Sequence, residues 1–126
     1  MAKFLTDYAG GQVINWLRGI SPTPVSALSL ALYTVAPTVS GGGTKVTGGS
    51  YTDQPVTLAV PGSSASSNSA VVTFVNMPTC TVVAAALVDA VSGDVLWVQN
   101  GLSISITAGE NKAVQIGDLD VSFIAA

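Results

Sequence analysis

The chain has 126 residues, of which 48% are apolar and only 9% are charged, and its formal net charge is −3. It contains no histidine and a single cysteine, so the most frequent general base and metal ligand is missing and an intrachain disulfide is excluded. This composition predicts one domain, residues 1–126, that packs and binds. We expect no enzymatic activity and no catalytic, cofactor-binding or metal-binding residues.

The basic residues are spread over the whole length of the chain. They are Lys3, Arg18, Lys45 and Lys112. Binding to nucleic acid or to an anionic membrane surface needs a concentrated patch of positive charge. The longest uninterrupted apolar run, residues 82–88, is much shorter than the roughly 20 residues that cross a bilayer. We therefore expect a protein made in the cytosol that binds neither nucleic acid nor membranes.

The one predicted helix covers residues 4–18, within an N-terminal helical segment of residues 4–19. Apolar residues recur there at intervals of three or four, which places them roughly on one side of a helix. They are Phe4, Leu5, Tyr8, Val13, Ile14 and Leu17, with Trp16 near the edge. Thr6 is a suitable N-cap, and Gly19 suits the left-handed residue that ends a helix. A Gly-Gly pair in the middle weakens the helix by about 1 kcal/mol per glycine relative to alanine.

From residue 25 onward the apolar residues recur with a period of two, as in strands with one buried face. The pattern predicts strands at residues 28–34, 44–47, 56–60, 70–75, 81–89, 95–99, 103–106, 113–116 and 118–123. Loops are predicted at 40–50, which is rich in glycine and expected to be mobile, and at 61–69, which is rich in serine. About eight short strands at this spacing predict an all-β fold, an antiparallel β-sandwich or jelly roll over residues 25–124.

Several residues that suggest chemistry also have a simpler structural explanation. Asp118 and Asp120 alternate with apolar residues, which is typical of the solvent face of a strand and favours that interpretation over a metal or hydrolase site. Asp89 and Asp94 flank a predicted turn, where carboxylates accept hydrogen bonds from backbone N–H groups. Cys80 lies in an apolar-flanked run and is predicted to be a small buried residue rather than a reactive thiol.

The two tryptophans differ in what the sequence predicts for them. Trp97 lies in the middle of a predicted strand, which favours a core position. Trp16 lies on the short helix just before Arg18, and there a core position and a docking contact are equally compatible with the sequence. Because so few residues are charged, the exterior must consist largely of small polar and apolar side chains. Such a surface favours association with other proteins.

Seven segments, in order from about residue 4 to 123, resemble a known family. They are Trp16–Gly19, Leu30–Pro37, Val46–Tyr51, Asn68–Phe74, Ala86–Ala90, Ser92–Trp97 and Gly117–Ser122. The family is that of small phage virion proteins described as capsid decoration (cement) or tail-fibre-like proteins. Where its members commonly have Gly-Gly-Ser-Tyr-Ala-Arg-Gln, this chain has Thr52 and Asp53 in place of the Ala-Arg pair. The resemblance implies no enzymatic residues.

The resemblance and the composition together favour a capsid decoration protein on the capsid surface of a phage virion, made in the host cytoplasm. We expect it to bind the major capsid protein and itself, as a homo-oligomer (dimer or trimer). The expected contact residues are Trp16, Leu17, Arg18 and Tyr51. The alternative is a tail-fibre or tail-tip module that binds a host surface glycan.

Overall fold

The computed structural model describes residues 3–62, 65–115 and 119–122. Short antiparallel strands and one short helix make up the described part, which confirms the predicted all-β fold. The elements are β1 (Lys3–Leu5), α1 (Asp7–Leu17), β2 (Leu28–Val35), β3 (Thr44–Lys45), β4 (Gln54–Pro55), β5 (Ala65–Ser67), β6 (Val72–Phe74), β7 (Cys80–Val82), β8 (Ala84–Asp89), β9 (Val95–Gln99), β10 (Ile104–Ile106), β11 (Lys112–Val114) and β12 (Asp120–Ser122).

The largest sheet has the strand order β1-β9-β8-β2-β3, and β4 pairs with β2 as well. Strands β2 and β8 lie at its centre, and all six residues of β8 are buried. The alternation of β2 places Leu30 and Leu32 in one apolar cluster and Ala31 and Tyr33 in another. The first cluster contains Trp97 and faces the smaller sheets. The sheet therefore has apolar residues on both faces. This explains why the sequences of its central strands are apolar at nearly every position.

The strands from β5 to β12 pair in a nested order. The outermost pair is β5 with β12, followed inward by β6 with β11, β7 with β10 and β8 with β9. This is one long antiparallel hairpin folded over itself, and folding such a hairpin into two facing sheets is how a jelly roll is built. Its inner side chains and those of the large sheet form one continuous core.

The predicted helix begins too early in the chain. Phe4 and Leu5 form strand β1, which pairs with β9 at the edge of the large sheet, and the helix begins at Asp7. Thr6 is the N-cap, as predicted: its hydroxyl accepts a hydrogen bond from the Ala9 N–H. The same hydroxyl donates to backbone oxygens of the segment that begins β9, so the side chain that starts the helix also fastens it to the sheet.

Three strand predictions need correction. Residues 56–60 form no strand, because β4 ends at Pro55 and only an isolated bridge at Leu58 follows. The predicted loop 61–69 contains β5, which pairs through its backbone although it is made of Ala and Ser. The apolar run 81–89 is two strands divided at Val83, where the chain passes from one sheet to another.

The glycine-rich stretch predicted as a mobile loop is held by specific contacts. Val46 is buried in the main core, and its N–H donates to the Leu32 carbonyl at 3.0 Å. Gly43 and Gly49 have positive φ angles of 79° and 55° and lie against neighbouring backbone. Glycine is required at both positions because a side chain there is strained and also collides with that backbone.

Candidate interaction surface

Helix α1 lies beside β1 and β9 and has no buried residue. Apart from Tyr8, its exposed large apolar side chains are Val13, Ile14, Trp16 and Leu17, which we call the α1 apolar face. Trp16 and Leu17 are 65% and 69% exposed. An apolar face on a helix normally packs against the rest of its own protein, so an outward-facing one is a candidate surface for contact with another molecule.

Polar and backbone contacts hold α1 in this orientation. At its start, the Asp7 N–H donates to the Val39 carbonyl at 2.7 Å. At its end, Gly19 has a φ of 80°, and the N–H groups of Gly19 and Ile20 donate back to carbonyls of the last turn, as in a Schellman motif. The Gln12 side chain accepts a hydrogen bond from the Thr23 N–H at 2.8 Å. The helix is thus fixed at both ends while its apolar face points away from the core.

The structure brings three of the four expected contact residues together. Trp16 and Leu17 belong to the α1 apolar face, and Arg18 is the C-cap of the same helix. The apolar side chains cover about 160° around the helix axis, from Trp16 to Ile14. Val13 and Ile14 were predicted on the same side of the helix as Leu17 but were not among the expected contact residues. The sequence feature that could have identified them is the width of this arc, which is greater than the roughly 100° of an apolar stripe that packs on a core.

Tyr51, the fourth expected contact residue, lies elsewhere and is used within the chain. Its ring stacks on Phe74 with the ring centres 5.7 Å apart. Its hydroxyl accepts a hydrogen bond from the Leu32 N–H at 2.8 Å and donates to the Asp53 carboxylate at 2.7 Å. Burial raises the pKa of the Tyr51 phenol well above its usual range, and the Asp53 carboxylate adds to the increase. We therefore leave Tyr51 out of the interaction surface.

Asp53, which stands where the resembled family commonly has arginine, has a defined partner in the structure. Its carboxylate forms an ion pair with Lys45 at 2.6 Å while it accepts the hydrogen bond from Tyr51. The pair joins the short strand β3 to the segment just before β4. The local contacts are thus built around an acid at this position.

The other candidate residues have structural surroundings. The Asp89 carboxylate accepts hydrogen bonds from the N–H groups of Ser26, Ala27 and Val91, which confirms its predicted role at the turn. Cys80 is half-buried, and burial raises the pKa of its thiol. Asp120 forms an ion pair with Lys3 at 3.0 Å, whereas Asp118 lies outside the described residues.

Trp97 is 1% exposed, which confirms the predicted core position. Its indole N–H has no hydrogen-bond partner within the described part of the chain. Asn68, whose role the sequence does not reveal, is fully buried. Its side chain accepts from the Leu119 N–H at 3.0 Å and donates to the carbonyls of Ala70 and Gln115. It joins distant parts of the chain, so its role is structural.

A cavity of about 210 Å³ opens between the large sheet and strands β10 and β11. Its described lining is mostly Leu, Ile and Val, and Lys112 is the one charged residue among them. It lacks the several convergent polar groups that fix the orientation of a small ligand. In residues 3–62, 65–115 and 119–122 there is no cluster of three metal-ligating side chains. Over the same residues, no helix is long and apolar enough to cross a membrane.

The fold and this surface together define an all-β structural module with one outward-facing apolar helix. The family model described as "Podophage GP4 fiber I protein gp80" matches residues 4–122, nearly the whole chain. The chain therefore belongs to the podophage GP4 fiber I protein gp80 family, and its role is that of a structural component of a phage virion. The fibre description fits the tail-fibre alternative better than capsid decoration. A comparison with curated proteins gave no match.

Proposed function

We propose that this protein is a non-catalytic component of a phage fibre, held in the virion through the α1 apolar face. The observation that carries the proposal is the exposure of that face on a chain of a fibre protein family. A fibre subunit must be attached to a neighbour, and the surface that attaches it is exposed in the isolated chain.

The energetics of the α1 apolar face support an attachment role. Its residues are held at the surface at a cost, because exposed apolar area is unfavourable at about 25 cal/mol per Å². Covering Trp16 and Leu17 recovers that free energy, and tryptophan is among the residue types that most often dominate the binding energy of a contact. Repeated copies in a virion then add many modest contacts.

Capsid decoration remains a second candidate because of the composition. Only 9% of the residues are charged, and Val60 and Val91 are 93% and 73% exposed in loops away from α1. Such scattered apolar residues suit a protein that covers a shell by many weak contacts. The glycan-binding version of the fibre role has less support. The exposed aromatic side chains among the described residues are Tyr8 and Trp16, and both lie on α1.

The two placements differ in copy number and in location. Quantitative mass spectrometry of purified virions, calibrated against the major capsid protein, gives copies per particle, and gold labelling of a tagged chain gives the site. A fibre component is expected in small numbers at one vertex. Hundreds of copies spread over the shell would replace the fibre proposal with capsid decoration.

The attachment surface is tested by substitution in the virion. In phage that carry Leu17→Ser, we expect the protein to be lost from purified particles while the soluble variant keeps its far-UV circular dichroism. Val60→Ser is the matched control, since it removes an even more exposed apolar side chain outside α1. Equal incorporation of both variants would show that the α1 apolar face is not the attachment surface.

A further inference from the structure

We infer that the α1 apolar face binds the same face of a second copy of this chain, with the two helices antiparallel. The inference deepens the proposed function by naming the partner, and it rests on that function's choice of α1 as the contact surface. Two further features of the helix point to a second copy: the positions of its charges and the position of one glycine.

The two charged residues at the ends of α1 lie on the same edge of the helix. Asp7 begins it and Arg18 caps it, and 11 residues of helix bring them to within about 20° of one another around the axis and about 16 Å apart along it. They border the α1 apolar face beside Ile14. Within the described residues neither forms an ion pair, and the Arg18 guanidinium donates only to the Asn15 side chain at 3.1 Å.

This edge complements itself when two copies pair antiparallel. A two-fold axis perpendicular to both helices keeps the charged edges on the same side and reverses the helix direction. Asp7 of each copy then lies opposite Arg18 of the other, which gives two identical ion pairs. In a parallel two-fold pair the charged edges lie on opposite sides of the contact, so neither Asp7 nor Arg18 gains a partner of opposite charge.

Gly10 lies within the arc of the α1 apolar face, between Leu17 and Ile14. A Cβ added at Gly10 would meet nothing within 4 Å, so the chain's own packing does not require glycine there. Glycine in a helix interior is destabilising, and no contact among the described residues offsets that cost. A second helix does offset it, because the missing side chain lets the two backbones approach closely at the centre of the contact.

The contact is small, since it uses one side of an 11-residue helix. Interfaces below about 1,200 Å² are typical of weak complexes, so we expect dissociation constants between about 10 μM and 1 mM for the isolated chain. In the virion, neighbouring copies are tethered and their effective concentration reaches the millimolar range. A weak contact therefore suffices there.

The test is sedimentation equilibrium of the purified full chain up to about 1 mM. We expect a monomer–dimer equilibrium that Asp7→Lys and Arg18→Glu each weaken by about tenfold, because each change places like charges together twice. Mixing the two variants in equal amounts restores the affinity, since the mixed pair regains both attractions. Loss of helix stability alone does not produce this rescue.

A second pair of variants examines the glycine. Gly10→Leu is expected to weaken dimerisation at least tenfold, and Gly11→Leu, which lies at the charged edge beside Arg18 rather than within the apolar arc, is expected to weaken it less. The two positions are about 100° apart around the helix, and both have open space for a Cβ. Thermal unfolding confirms that both variants are folded.

A chain that is monomeric at every concentration, or a mixture of charge variants that does not rescue affinity, overturns the inference. If such a monomer is still lost from virions on Leu17→Ser, the α1 apolar face attaches to a different virion protein and the proposed function stands. If dimers form but Leu17→Ser virions retain the protein, the failure belongs to the proposed attachment role.

Discussion

Tyr51 connects three parts of the chain through one hydroxyl group. It accepts from the Leu32 N–H of β2, at a point where neither β3 nor β4 pairs with that strand, and it donates to Asp53, the partner of Lys45. Tyr51→Phe leaves the Leu32 N–H without its acceptor. We expect it to lower the free energy of unfolding by about 1–3 kcal/mol in urea titrations. Tyr8→Phe, on the exposed helix surface, is the control, and equal effects of both changes would contradict this role.

Asp89 makes stability depend on pH at the acid end. Hydrogen bonds from the N–H groups of Ser26 and Val91 lower the pKa of its carboxyl below the usual value, against the opposing effect of burial, with Ala27 contributing a smaller part. Because the folded-state pKa is the lower one, the stabilisation is fully present above about pH 4 and is lost as the pH falls through the folded pKa. Asp89→Asn is expected to be less stable at pH 7 and to lose less stability on acidification.

Denaturant midpoints between pH 2 and pH 7 measure this difference for the native chain and the variant. Asp94→Asn, on the other side of the turn, serves as the matched substitution. Parallel pH profiles for native protein and Asp89→Asn would mean that the Asp89 carboxylate does not set the acid response.

What the sequence predicts at the residue level depends on where the partners lie. Asp89 was predicted correctly because the turn that supplies one of its donors, Val91, is two residues away. The bonds that Asn68 and Tyr51 make within the fold could not be predicted, because they join residues up to 51 positions apart in the chain. Trp97 was predicted to be in the core because alternation within its own strand was sufficient.

Helix α1 contains an avoidable local weakness. Gly10→Ala adds a Cβ that has no neighbour within 4 Å in the described part of the chain, and it removes the conformational freedom of glycine. We expect it to stabilise the monomer by about 1 kcal/mol, observed as a higher melting temperature at low protein concentration. Gly19→Ala is the opposite control, because its φ of 80° at the helix end is strained for alanine. A lower melting temperature for Gly10→Ala would contradict the helix geometry.

The segment between β3 and β4 depends on Gly49. At a φ of 55°, a Cβ would come too close to the backbone oxygen of Asn76 and within 3.0 Å of the Pro78 nitrogen. Gly49→Ala is expected to cost more than about 1 kcal/mol in denaturant unfolding. Gly41→Ala, which has a positive φ but open space, separates strain from collision. If both cost the same, the close backbone contact is not what matters.

The strength of each element's own sequence pattern decides how well it was predicted. Strands β2, β8 and β9 follow from apolar patterning. Phe4 and Leu5 fit the helical spacing equally well, and only the free edge of β9 makes them a strand. Strand β5 is Ala-Ser-Ser and has no apolar signal, because its pairing with β12 is made by the backbone. The sequence does not show the break at Val83, because the residues on both sides of it are mostly apolar.

The spacing of turns was sufficient to predict the fold class of the whole molecule, but not the order in which the strands pair. Nested pairing brings residues together that are far apart in the sequence, and the sequence of one strand does not indicate which strand it pairs with. The same limit applied to the interaction surface. The low charge of the chain predicted an assembly component, and only the tertiary structure shows which apolar residues remain outside.

One ion pair joins distant parts of the molecule, and we expect it to contribute little. Lys3 of β1 contacts Asp120 of β12, and the Asp120 side chain is 61% exposed. Solvent and salt screen such a pair, so Lys3→Ala is expected to change the free energy of unfolding by less than about 1 kcal/mol. Urea titrations at low ionic strength of this variant beside Lys112→Ala provide the comparison. A larger loss confined to Lys3→Ala would assign the pair a real role in closing the fold.

The position of strand β1 in the sequence also affects the order in which the newly made chain folds. Its partner residues in β9 are more than 90 positions later, so β1 must wait, unpaired, until most of the polypeptide has left the ribosome. Helix α1 follows β1 directly and takes its position from it. The proposed contact surface is therefore completed late, after the β8–β9 hairpin has formed, which would delay the proposed contact between copies until each has a folded core.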